Sequence, residues 1–171
     1  GDESGVSVSL SSDGNTVAIG ARYNEGWLGY GSGHVRIYNW DGLSWIQVGA
    51  DIDGSSVNDW SGWSVSLSDD GNTVAIGAPY NAANGYGSGH VRIYNWSGSS
   101  WINLGGDING ELVNDASGFS VSLSSDGNTV AIGAPYNDGN GSNSGHVRIY
   151  ALGGTGYTSA PCSGCTDPLA E

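Results

Sequence analysis

The sequence predicts an all-β fold: a β-propeller-like array of three four-stranded antiparallel blades that does not close a ring by itself. Three observations carry this. The stretch "DGNTVAIGA" recurs at Asp13–Ala21, Asp70–Ala78 and Asp126–Ala134, and each copy is followed by a Gly/Asn-rich stretch and then "SGHVRIY". Equivalent positions such as Leu10, Leu67 and Leu123 are 57 and 56 residues apart, a spacing that suits blades. No segment shows helical periodicity, and 31 glycines in 171 residues would interrupt a helix in any case.

Each repeat reads as four short strands. The first is Val6–Leu10, with Trp63–Leu67 and Phe119–Leu123 as its copies, where Ser alternates with Val or Leu at the two-residue period of a strand. "SSDGNT" follows as a turn: Gly accepts positive φ, and Asp caps the turn with its own side chain. The second strand is "TVAIGA". Val17 and Ile19 point one way, and Ala18 and Gly20 the other, leaving room there for a close neighbouring sheet. In the third, "GHVRIYNW", Val35 and Ile37 share one face and His34, Arg36 and Tyr38 the other. The fourth is "WIQVGADI" or "WINLGGDI". The expected units are 1–56, 57–112 and 113–152, the last with its fourth strand missing or replaced, then a Gly/Cys-containing tail at 153–171. A twelfth strand has room around Gly156–Ala160.

Seventeen acids oppose four bases for a net charge of −13, and the only cations are Arg22, Arg36, Arg92 and Arg148. Such a field repels phosphate backbones and anionic lipid surfaces, which sets nucleic acid aside as a partner, and it attracts divalent cations. Seven Trp and nine Tyr supply apolar surface for a core. No apolar run is long enough to cross a bilayer as a helix, so membrane insertion is not expected. The chain begins at Gly1 rather than Met, which fits a processed or partial chain. Asn95-Trp-Ser97 and Asn140-Gly-Ser142 are N-glycosylation sequons, and Cys162 and Cys165 read as an oxidised pair. Both fit an extracellular, secreted location.

"SGFSVSLSSDGNTVAIGAPYNDGNGSNSGHVRIY" (Ser117–Tyr150) resembles the FG-GAP repeat of integrin-α-like β-propellers. Phe119-Ser and Trp63-Ser stand where that family has Phe-Gly, and "IGAP" at Ile76–Pro79 and Ile132–Pro135 matches its "VGAP"; Arg22 replaces Pro in the first copy. The resemblance covers all three repeats and implies four-stranded propeller blades, extracellular and used in adhesion or scaffolding. The family's calcium hairpin is not present, because "SSDGNT" offers one carboxylate (Asp13, Asp70 or Asp126) where calcium needs six to eight oxygens. "CSGCTDPLAE" (Cys162–Glu171) resembles the start of a Cys-rich "GCTDP" module of large secreted proteins.

Calcium is the cofactor to expect elsewhere. "DINGELVND" sets Asp107, Asn109, Glu111 and Asp115, and "DIDGSSVND" sets Asp51, Asp53, Ser55 and Asp59, at offsets 1, 3, 5 and 9. Alternate side chains of a tight loop can converge on one hard cation; the competing reading is an acidic connection whose carboxylates bond their own backbone. Arg36, Arg92 and Arg148 suit a pair with a carboxylate or a stack on an aromatic ring. His34, His90 and His146 suit a hydrogen bond where the third strand begins. The pairs Trp40/Trp45 and Trp96/Trp101 suit cross-strand packing. Trp27, Trp60 and Tyr86 break the repeat pattern and mark an exposed binding surface. No nucleophile elbow, His–acid relay or phosphate loop is visible.

The leading expectation is a non-enzymatic extracellular structural or adhesive protein that assembles through blade edges and faces, as a filament or surface-layer subunit. Its partners would be copies of itself or the remainder of a longer chain. A carbohydrate-binding, lectin-like propeller with glycans as ligands is the alternative, and a secreted hydrolase or lyase the third reading.

Overall fold

The computed structural model describes residues 1–26 and 28–153, and the backbone of 156–160. Fourteen strands form three antiparallel sheets, and there is no helix among the described residues. The first sheet holds β1 (Ser7–Leu10), β2 (Thr16–Ala21), β3 (His34–Trp40), β4 (Trp45–Gln47) and β5 (Ile52–Asp53). The second holds β6 (Ser64–Leu67), β7 (Thr73–Ala78), β8 (His90–Trp96), β9 (Trp101–Asn103) and β10 (Ile108–Asn109). The third holds β11 (Ser120–Leu123), β12 (Thr129–Ala134), β13 (His146–Gly153) and β14 (Gly156–Ala160). The first three strands of each sheet form an antiparallel meander, the first two joined by a tight turn and the second and third by a longer loop.

The Asp-Gly turns form as the sequence implies. Asp13 accepts hydrogen bonds from the Ser11 hydroxyl at 2.6 Å and the Asn15 amide at 2.9 Å, while Gly14 takes φ 71°. Asp70 and Asp126 repeat the arrangement. In each case the serine hydroxyl does most to hold the carboxyl below its ordinary value.

The expected fourth strand is interrupted. β4 pairs with the end of β3 and β5 with its start. Val48 still donates to Ile37 at 2.8 Å, but Gly49 turns to φ 75° and residues 49–51 bulge out opposite Arg36. A bulge leaves extra residues unpaired and aims their side chains sideways, and here it carries Asp51 to Arg36. The second sheet does the same through Gly105 and Gly106. In the third sheet β14 takes the place of this strand, with Ile149 opposite Ala160.

Two cores lie between the sheets. Ala18, Val35 and Ile37 of the first pack on Leu67, Val74 and Ile76 of the second. Ala75, Val91 and Ile93 of the second pack on Val130 and Ile132 of the third. One face of each blade therefore meets the opposite face of the next. Serines of the alternating "SVSL" strands tie these joints. Ser7 and Ser64 donate to the carbonyls of Gly62 and Gly118 at 2.7 and 2.8 Å, and Ser9 and Ser66 accept from the amides of Leu67 and Leu123 at 3.0 and 2.9 Å.

Candidate functional site

The outer faces of the two end blades have no covering among the described residues. On the first blade, Val8 and Leu10 are 63% and 58% exposed, with half-buried Val17 and Ile19 beside them. Their counterparts in the second blade, Val65, Leu67, Val74 and Ile76, belong to the first core. On the third blade, Val147 is exposed and Ala131 and Ile149 are half-buried; their counterparts Val91, Ala75 and Ile93 are fully buried. The chain thus presents both halves of a joint it makes twice internally.

The arginines report the same asymmetry. Arg92 donates to the Asp53 carbonyl of the preceding blade at 2.6 Å, and Arg148 to the Asn109 carbonyl at 2.8 Å. Each also lies over the tyrosine two residues on, 5.6 and 5.5 Å from the ring centre. Arg36 has no preceding blade among the described residues. It turns onto Asp51 of its own bulge, with bonds of 2.8–3.0 Å to both oxygens. That pair holds the Asp51 carboxyl below its ordinary value, helped by Gln47.

The acidic connections divide into two kinds of residue. Asp59 is 2% exposed and accepts from the Ser55 hydroxyl at 2.7 Å and the Ser56 amide at 2.8 Å. Asp115, equally buried, accepts from the Leu112 amide and Asn137. Both carboxylates hold their own loop. Asp51 and Asp53 instead gather at His34, with one ligand atom from each of the three within 4.8 Å of the others. Asp107 stands 3.6 Å from His90 Nδ1, and Glu111 3.7 Å from His146 Nδ1. Asn109 has a buried side-chain oxygen with no partner among the described residues. The hydrogen bond expected where β8 begins is not made: both ring nitrogens of His90 are buried and unpartnered among the described residues. Burial pulls this imidazole down to about 4 and also lowers His34.

Aromatic rings form a ribbon across the blades. Tyr23 meets Trp60 at 5.2 Å, Trp60 meets Tyr80 at 4.0 Å and stacks on Trp63 at 5.6 Å, and Trp63 meets Phe119 at 5.1 Å. Trp60, Tyr80, Tyr86 and Asn58 line a groove of about 290 Å³, so Trp60 and Tyr86 converge. Trp27, Cys162 and Cys165 lie outside the described residues. The Trp40/Trp45 and Trp96/Trp101 pairs sit in cross-strand register, as expected, at 5.7 and 5.4 Å. Asn140 is exposed, whereas Asn95 donates from its side-chain nitrogen to Asn72 and Thr73.

The FG-GAP repeat model matches the sequence at residues 50–94 and 111–150. The chain carries FG-GAP repeats. The matched segments coincide with the second and third sheets up to their third strands, and the first sheet spells the same motifs. No curated protein sequence matches the chain. Solved structures share the fold of these FG-GAP blades. A 6-phosphogluconolactonase candidate from Bacteroides uniformis is 11% identical with a TM-score of 0.59, covering 90% of this chain and 38% of its own. The hydrazine synthase of Kuenenia stuttgartiensis is 16% identical with a TM-score of 0.53, covering 85% of this chain and 33% of its own. A periplasmic gluconolactonase of Pseudomonas aeruginosa is also 16% identical with a TM-score of 0.53, covering 91% and 44%. The chain thus spans less than half the length of each. At these identities the likeness concerns the fold alone.

Proposed function

We propose that this FG-GAP chain is a non-enzymatic, extracellular structural module that assembles blade on blade, with a second copy docking head to tail. One observation supports it: the open face of the first blade and the open face of the third are the two halves of the joints already made inside the chain. The register follows from those joints. Ser120 and Ser122 of one copy would meet the Gly5 carbonyl and the Leu10 amide of the next, as Ser64 and Ser66 meet Gly118 and Leu123. A head-to-tail contact of this kind closes into a ring or extends into a filament according to its rotation.

Light scattering on the eluting protein over a wide concentration range tests the reading. Concentration-dependent dimers or longer species, lost in Leu10→Asp, are expected. A monomer at every concentration would overturn assembly by copies and leave the remainder of a longer chain as the partner.

The groove at Trp60, Tyr80 and Tyr86 favours a second reading, glycan binding, because aromatic faces beside the Asn58 amide suit a sugar ring. A glycan array tests it; a silent array removes it.

A further inference from the structure

We propose that His34, Asp51 and Asp53 bind one divalent first-row transition-metal ion, for which zinc is the probe. This goes beyond the assembly reading. The strand pairing sets Asp53 opposite His34, and directly opposed residues share one face of a sheet. The bulge brings in Asp51, whose Oδ2 stands 3.5 Å from His34 Nδ1. All three ligand atoms lie within 4.8 Å of one another, so small rotations bring them onto one ion at about 2.0–2.2 Å.

His34 is the independent sign that a ligand belongs here. It is 4% exposed, and neither ring nitrogen makes a hydrogen bond among the described residues. The nearly buried imidazole thus stands beside two carboxylates without a hydrogen bond to either, a gap that an ion bound by all three would fill. The site is reachable: Asp51 and Asp53 line an open groove of about 560 Å³ with Asn24, Gly26 and Ala50, leaving space for water to complete the coordination. Its outer support is present too. Arg36 holds both Asp51 oxygens at 2.8–3.0 Å and Gln47 holds Oδ1 at 2.7 Å, with Oδ2 standing 3.5 Å from His34 Nδ1; such outer partners orient metal ligands.

The donor set decides the class of ion. Calcium takes oxygen alone, whereas an imidazole nitrogen with two carboxylates suits zinc and its neighbours. The second blade has Asn109 where the first has Asp53, and so offers His90 a single carboxylate, Asp107. One ion per chain is therefore expected.

The test is titration calorimetry of the untagged full chain in a Cys162→Ser/Cys165→Ser background, so that tail thiols do not compete. Zinc should bind with a stoichiometry of one, raise the melting temperature, and be displaced weakly or not at all by calcium. Asp53→Asn, which removes no hydrogen bond made by the Asp53 side chain, should keep the metal-free melting temperature and weaken zinc binding at least tenfold. His90→Gln should leave zinc binding unchanged. Cobalt should give a visible absorption band that Asp53→Asn abolishes. Absence of saturable zinc binding, binding untouched by Asp53→Asn, or calcium binding as tightly as zinc would each overturn the proposal. If His34→Gln fails to fold, Asp53→Asn still decides the matter.

Discussion

Gly77 lies so close to the carbonyl of Gly118 that a methyl group on it would overlap that oxygen. Gly20 has the same relationship to Gly62. The nearest atoms to Gly133, their counterpart in the third blade, all belong to Ser120, which is its own cross-strand partner. The glycine is required where a blade follows, and in the third blade none follows among the described residues. Gly77→Ala should therefore lower the melting temperature by forcing two blades apart. Gly133→Ala should leave the monomer's melting temperature nearly unchanged and abolish self-association in light scattering. Assembly that survives Gly133→Ala would reject the docking register.

Leu67 and Leu10 occupy one position in successive repeats, 7% and 58% exposed. Leu67→Ala should cost about 2–5 kcal/mol by leaving a cavity at the joint. Leu10→Ala should stay within about 0.5 kcal/mol for the isolated monomer, as surface substitutions do. Urea unfolding at low protein concentration measures both.

Arg92 and Arg36 should differ in the same way. Arg92→Met strips a bond from the Asp53 carbonyl between two blades, a loss of about 1–3 kcal/mol if the carbonyl is left unpaired. Arg36→Met breaks a pair whose arginine is 43% exposed, and should cost no more than about 1 kcal/mol. Equal losses in chemical denaturation would show that the cross-blade bond has no special weight.

His90 makes stability pH-dependent. Its imidazole titrates near 4 in the folded chain, lowered by burial and then by Arg92, against 6.5 unfolded. Between those values the unfolded chain binds a proton that the folded chain refuses. Stability is therefore complete above 6.5 and falls as the pH drops toward 4, by up to about 1.4 kcal/mol per pH unit. The turn aspartates, held below their ordinary value, withdraw stability only at more acid pH. Melting curves from pH 7 to 4 in the presence of chelator should show this slope in the parent chain and lose most of it in His90→Gln. An unchanged slope would assign it to other groups.

Much of the fold was legible because it rests on local chemistry written three times. Asp13-Gly14 and its copies specify a turn whatever surrounds them, and alternation in "TVAIGA" sorts side chains to two faces. The Ser7–Gly62 and Ser9–Leu67 bonds could have been suspected from serines kept at alternate positions in every copy. The split of the fourth strand was less accessible. "GADI" and "GGDI" carry glycine, but only pairing against β3 shows that three residues stand opposite Arg36.

By itself the sequence determined the all-β class, the three blades and the hairpin turns, since each depends on residues adjacent in the chain or repeated at a constant interval. The tertiary structure alone decided that Asp51 and Asp53 gather at His34 while Asp59 turns into its own loop. It also decided that Arg36 folds back where Arg92 and Arg148 reach across. Those outcomes depend on a bulge and on which blade has a neighbour, and both follow from three-dimensional packing rather than from local spelling.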